Sequence, residues 1–137
     1  MFNLINYVGP HAALPDWNAE RQANAQGLIT ACAKLQAALQ DAGIHFQINP
    51  RTGTTISGET LGGFRPQSCP IGAHDSAHKT GEAVDRYDPD GVIDGYLMAH
   101  QELLTECGIY IEHPSATHGW SHWSIRAPAS EHHVFFP

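Results

Sequence analysis

Two separated stretches of this 137-residue chain constrain how it can fold, because each carries side chains that bind metal ions. The first runs from Ser76 to Asp85 and contains His78 and Asp85, with mostly small residues between them. Imidazole nitrogen and carboxylate oxygen bind zinc at about 2.0 to 2.2 Å, and a catalytic zinc has three protein ligands and an open position. The third ligand must come from elsewhere, and His122 is the best candidate. We therefore predict a metal triad of His78, Asp85 and His122, which requires the two stretches to meet in the fold.

The pattern S-x-H-x-x-G-x-A-x-D, followed downstream by W-x-H, resembles the zinc D-alanyl-D-alanine carboxypeptidases and the phage L-alanyl-D-glutamate endopeptidases. These metallopeptidases share the hedgehog-type fold, and the similarity runs from about Ile44 to Ile125. In that family the two histidines and the aspartate bind zinc, and the metal activates the water that attacks the peptide bond. The resemblance therefore implies an α+β fold with a small antiparallel sheet and flanking helices, Zn2+ as cofactor, and a peptidoglycan stem peptide as substrate.

The general base is where the chain departs from this family. Many members have an acidic residue three positions before the last histidine, where this chain has Gly119. Another branch of the family has the pattern Tyr-x-Glu, then a short loop and W-x-H. Tyr110-Ile111-Glu112 and the segment that begins at Trp120 resemble this pattern. We therefore predict that Glu112 is the catalytic general base.

Two other side chains could take that role. His118 lies four residues before His122, and Glu82 lies inside the first motif. Glu82 is the weaker rival, because period-two alternation from Asp85 directs it to the opposite face of a strand.

Three residues are predicted to contact substrate, namely Arg65, Ser76 and Trp120. Arg65 follows Gly63-Phe64 at the start of a long loop, and the family has a counterpart near the substrate. A guanidinium suits a carboxylate there, because its planar fork can donate two parallel hydrogen bonds.

Hydrophobic periodicity predicts one helix that begins after Asp16 and ends at Gly43, and a second helix from Val92 to Cys107 that Asp90 caps. Alternation predicts a half-buried strand at Ile44–Ile48, a strand at Glu82–Tyr87, and an antiparallel pair formed by Ile109–Glu112 and Ser121–Ile125. Val134–Phe136 is apolar enough for a last short strand or a packed tail. The length fits one domain spanning residues 1–137.

The composition of the chain limits which classes of binding partner and which compartment we expect. The formal net charge is -7, with only 7 Lys and Arg, which argues against nucleic acid because a phosphate backbone requires clustered basic residues. We expect no membrane insertion and a monomer. The first seven residues do not resemble a secretory signal, and three cysteines without a C-x-x-C motif favour a reducing compartment, so we expect synthesis in the cytoplasm.

Two functional interpretations follow. The first is a hydrolase, a zinc metallopeptidase for cell wall degradation, with a phage or prophage endolysin as one origin and a bacterial or virion-associated enzyme as another. The second is a zinc-containing module that binds peptidoglycan or a protein without cleaving it. A carboxylate close to the metal favours the enzyme. Enzymes that cleave D-Ala-D-Ala and enzymes that cleave L-Ala-D-Glu share these residues, so the sequence does not decide which peptide bond is cleaved.

Overall fold

The computed structural model describes residues 2–137, and Met1 lies outside the described residues. It is an α+β fold in which four helices accompany one four-stranded sheet. The helices are α1 (Leu4–Val8), α2 (Ala19–Asp41), α3 (Val92–Ala99) and α4 (Glu102–Cys107), and the strands are β1 (Ala83–Tyr87), β2 (Tyr110–Glu112), β3 (Trp120–Ser124) and β4 (Val134–Phe135). Among residues 2–137, no helix combines the length and apolar character that a bilayer span needs.

The sheet is mixed, so the prediction of an antiparallel sheet is wrong for one edge. The strand order is β1-β3-β2-β4, and the β1/β3 and β2/β3 pairs are antiparallel as predicted. The chain then crosses from β3 to the far side of β2, and β4 pairs with β2 in parallel. Periodicity identifies a strand but not its neighbour, which is why the sequence left this tail undecided.

The long helix α2 begins slightly later than the sequence predicts. The Asn18 side chain caps it by accepting a hydrogen bond from the Arg21 amide, whereas the predicted cap, Asp16, accepts one from the Gln67 amide. An N-cap side chain satisfies one of the free amides of the first turn. The buried positions of α2 follow helical spacing; they are Ala25, Leu28, Cys32, Leu35 and Leu39.

Two further predictions differ from the structure. The helix expected from Val92 to Cys107 is interrupted at His100 (φ -135°), and its first turn is capped by Asp88 rather than Asp90. Both Asp88 carboxylate oxygens accept amide hydrogen bonds at 3.0 Å. Ile44–Ile48 is not a strand: Phe46 is buried against Trp123, but no strand within residues 2–137 pairs with this segment.

The two faces of the sheet have different roles. Val84, Ile111 and Trp123 are fully buried in the core with α2. Arg86 is also fully buried, with its guanidinium 4.8 to 4.9 Å from the ring centres of Phe2, Phe46 and Trp123. Because alternate strand residues face opposite sides, the next residues along each strand point away from this core. That second face carries the candidate site.

Candidate metal centre and cavity

The predicted triad converges at one point on the second face of the sheet. The ligating atoms of His78, Asp85 and His122 lie within 4.8 Å of one another, and all three residues are buried. His122 Nδ1 lies 2.9 Å from Asp85 Oδ1, and His78 Nε2 lies 3.3 Å from the same oxygen. This buried group could hold a metal ion.

Strand register explains two of the three ligands. Asp85 on β1 is the direct antiparallel partner of His122 on β3, so strand pairing brings together two residues that are 37 positions apart in the chain. The side chains of such a pair leave the same face about 5 Å apart. A one-residue slip would turn one ligand toward the core.

His78 lies on a short 3-10 helix, Ala77–Thr80, that precedes β1. The Ser76 hydroxyl caps this turn by accepting the His78 amide hydrogen at 3.3 Å, and Gly81 ends it with φ +82°. A Cβ atom at position 81 would lie 2.6 Å from the Arg21 carbonyl oxygen. Glycine is therefore required both for the left-handed backbone and for the close approach of α2.

The orientation of the His78 ring fits a metal ligand. Its Nδ1 lies 2.8 Å from the Gly63 carbonyl oxygen, and a carbonyl can only accept, so Nδ1 carries the proton. The other ring nitrogen, Nε2, is buried, has no hydrogen-bond partner of good geometry, and lies 3.3 Å from Asp85 Oδ1. A metal ion would satisfy this atom, and a backbone carbonyl on the other ring nitrogen is the usual arrangement behind a ligating histidine.

Arg65 contacts the triad instead of projecting free into solvent. Its Nη2 donates to Asp85 Oδ2 at 3.3 Å, and its Nε donates to the Leu61 carbonyl oxygen at 2.7 Å. The Arg65 side chain is only 11% exposed. One Asp85 oxygen thus faces the two imidazoles and the other faces Arg65, so this guanidinium orients the central carboxylate.

The electrostatics favour the ligating form of Asp85. Burial raises the pKa of its carboxyl, but the charges and hydrogen bonds of His78 and His122 outweigh burial and hold the pKa well below its usual range. Burial likewise lowers the pKa of His122, and there the hydrogen bond to Asp85 with the charges of Asp85 and Glu112 raises it overall. Asp85 is therefore an anion at neutral pH, which suits a cation between these groups.

Glu112 extends the pair of Asp85 and His122 into a row of adjacent side chains across the sheet. Ile111 pairs with Trp123, so one residue further on Glu112 comes opposite His122, and Glu112 Oε1 lies 4.0 Å from His122 Nε2. On the other side of β2, Glu112 pairs with Phe135 of β4. The row therefore reads carboxylate, imidazole, carboxylate and aromatic ring across four strands.

The row forms part of the wall of a cavity of about 490 Å³, a size that accommodates a short peptide. All seven predicted site residues line it: Arg65, Ser76, His78, Asp85, Glu112, Trp120 and His122. The loop at Ile71–Ala73 and the chain after β3 supply much of the remaining, largely apolar wall. The structure thus brings every predicted site residue to one cavity.

The rival bases lie elsewhere. His118 is exposed and does not line the cavity, and Glu82 is bonded to Thr80 and Arg126 outside it. Gly119 has φ +100°, a conformation that an acidic side chain adopts only with strain. The backbone at this position therefore suits glycine better than an acidic residue.

Phe135 and Arg126 are among the cavity residues that sequence reasoning missed. The ring of Phe135 is perpendicular to that of His122, with centroids 6.3 Å apart. The apolar run around Phe135 suggested a strand, but only the parallel pairing with β2 brings it to the site. The sequence offered no functional indication for Arg126 beyond its position directly after the predicted strand Ser121–Ile125.

Comparison with known protein families, with curated proteins and with solved structures finds no match to this chain.

Proposed function

We propose that this protein is a zinc-dependent peptidase that cleaves peptide bonds of bacterial peptidoglycan. The observation that carries the proposal is the convergence of His78 Nε2, His122 Nδ1 and Asp85 Oδ1 beside a second carboxylate, Glu112, on one cavity wall. The motif resemblance supplies the substrate class, and the cavity supplies room for a peptide.

The donor set favours zinc. Two imidazole nitrogens and one carboxylate oxygen are typical of catalytic zinc sites that retain an open position. A bound zinc ion would supply a water of near-neutral pKa and polarise the scissile carbonyl. The buried, unpartnered Nε2 of His78 is consistent with this assignment.

The protein's own groups then have distinct tasks. The Glu112 carboxylate accepts the proton of the attacking water and donates it to the departing amine nitrogen. Arg65 holds Asp85 in its ligating orientation through the 3.3 Å hydrogen bond to Oδ2. Trp120 and Phe135 line the cavity and restrict water around the peptide.

The position of Glu112 favours the enzyme over a module that only binds. Its side chain is 21% exposed and lines the cavity that holds the triad. An enzyme needs such a carboxylate within reach of the attacking water, because general acid–base catalysis requires a positioned proton acceptor.

Mass spectrometry of purified muropeptides tests the proposal and identifies the bond. We expect zinc-loaded protein to release either D-alanine or a fragment cut between L-alanine and D-glutamate. His122→Ala should abolish the product, and the matched variant His45→Ala, at an exposed histidine outside the cavity, should not. Zinc-loaded protein that releases no fragment from any muropeptide would refute the peptidase and leave the binding module.

A further inference from the structure

Arg126 is the more accessible of the two guanidinium groups that line the cavity. Its side chain is 35% exposed, against 11% for Arg65. Arg65 is committed to Asp85 and to the Leu61 carbonyl oxygen. Of the arginines on the cavity wall, Arg126 is therefore the one better placed to meet a ligand.

The guanidinium of Arg126 is held in a fixed position by three acceptors. Nε donates to Glu82 Oε1 at 3.2 Å, Nη1 donates to the Asp75 carbonyl oxygen at 2.6 Å, and Nη2 donates to Thr80 Oγ1 at 2.6 Å. A guanidinium has five N–H groups, so these three acceptors leave donor capacity for a ligand.

This arrangement lowers the cost of binding. A free arginine side chain loses considerable rotamer freedom when it binds a ligand, and a side chain already fixed by its neighbours loses little. Thr80 also donates to Glu82 Oε1 at 2.6 Å, so the supporting contacts form one connected network behind Arg126.

The charges on the cavity wall bear on how an acidic ligand would bind there. The chain has 14 acidic and 7 basic residues, and Asp85 and Glu112 both line the cavity. Two carboxylates disfavour an anionic peptide, and the guanidinium of Arg126 on the same wall offers such a peptide an attractive partner. The apolar wall next to Arg126, formed by Ala127, Pro128 and Phe135, suits small aliphatic side chains.

We propose that Arg126 binds a free carboxylate of the substrate, so that the peptides recognised are acidic wall peptides rather than amidated ones. The inference rests on the proposed function for the identity of the peptide. A stem peptide offers two sources of this group, the terminal carboxylate of D-alanine and the α-carboxylate of D-glutamate.

Calorimetric titration of three synthetic peptides tests the inference. They are the stem pentapeptide, its C-terminal amide, and the analogue with D-isoglutamine in place of D-glutamate. Zinc-loaded Glu112→Gln protein serves as the parent, because hydrolysis is suppressed there. We expect one of the two amides to bind the parent about tenfold to a hundredfold more weakly than the acid, as for loss of a charged hydrogen bond, and that amide identifies the carboxylate.

Adding Arg126→Ala should weaken binding of the acid by the same factor and remove the preference over the amide. The matched control Arg51→Ala, at an exposed arginine outside this cavity, should keep the preference. Arg126→Lys retains the charge without the fork, so it should show a reduced preference, and it carries the test if the alanine variant fails to fold.

The inference is overturned if the parent binds acid and amide equally, or if the preference survives Arg126→Ala. In either case cleavage of muropeptides by the unmodified protein would leave the proposed function standing. Conversely, an Arg126-dependent preference without any cleavage would support acid recognition by a binding module. Failure of the parent to bind any of the three peptides would overturn the inference.

Discussion

Replacing Glu112 by glutamine separates two roles that its position allows. Glu112 Oε1 lies 4.0 Å from His122 Nε2, which exceeds the 2.7 to 3.2 Å of an N–H···O hydrogen bond. If Glu112 oriented His122 as a ligand, the two atoms should lie within that range. The longer distance and the exposure of Glu112 to the cavity favour the role of general base.

The two roles predict different losses in Glu112→Gln, which keeps the shape of the side chain and removes its basicity. Loss of a general base lowers the rate by about 10² to 10⁴ and leaves zinc affinity unchanged. Loss of a group that orients a metal ligand lowers metal affinity by about 10- to 100-fold. We therefore expect a rate loss in the first range with unaltered zinc affinity.

The assay combines muropeptide turnover at saturating zinc with a competitive titration of zinc affinity. Glu106→Gln is the matched control, because Glu106 is an exposed glutamate on α4 outside the cavity. His118→Ala should retain the normal rate. A Glu112→Gln protein that cleaves at the wild-type rate, or one whose only defect is weak zinc binding, would refute the general-base assignment.

Two further predictions concern the metal site, and a third concerns the core. His78→Ala and His122→Ala should each largely lose the expected single zinc per chain. Metal analysis that finds full zinc in both variants would contradict the assignment of these residues as metal ligands. Arg65→Lys should lower zinc affinity by about 10- to 100-fold, because lysine lacks the planar fork that bonds Leu61 through Nε and Asp85 through Nη2; a defect in peptide binding alone would instead support the substrate contact predicted from sequence. Burial raises the pKa of Cys32 to about 12, so iodoacetamide should label this thiol only after unfolding, and rapid labelling of the folded protein, located by peptide mapping, would contradict its burial.

The sequence by itself predicted which residues form the candidate metal site. The spacing of His78, Asp85 and His122 predicted a triad, and the structure brings these residues together. Alternation also predicted that β2 and β3 pair, because one buried face per strand fixes which residues point the same way. Glu112 was predicted from the Tyr-x-Glu resemblance, and the pairing of β2 with β3 places it opposite His122.

Only the tertiary structure decided which groups surround the triad. The sequence predicted that Arg65 contacts substrate, and that stays a prediction; its hydrogen bond to Asp85 Oδ2 was visible only in the structure. Phe135 reaches the cavity because β4 runs parallel to β2, and Arg126 lies there because Thr80 and Glu82 hold it. These contacts join residues far apart in the chain, and local periodicity encodes the face that a residue occupies, not the partner it meets across the fold.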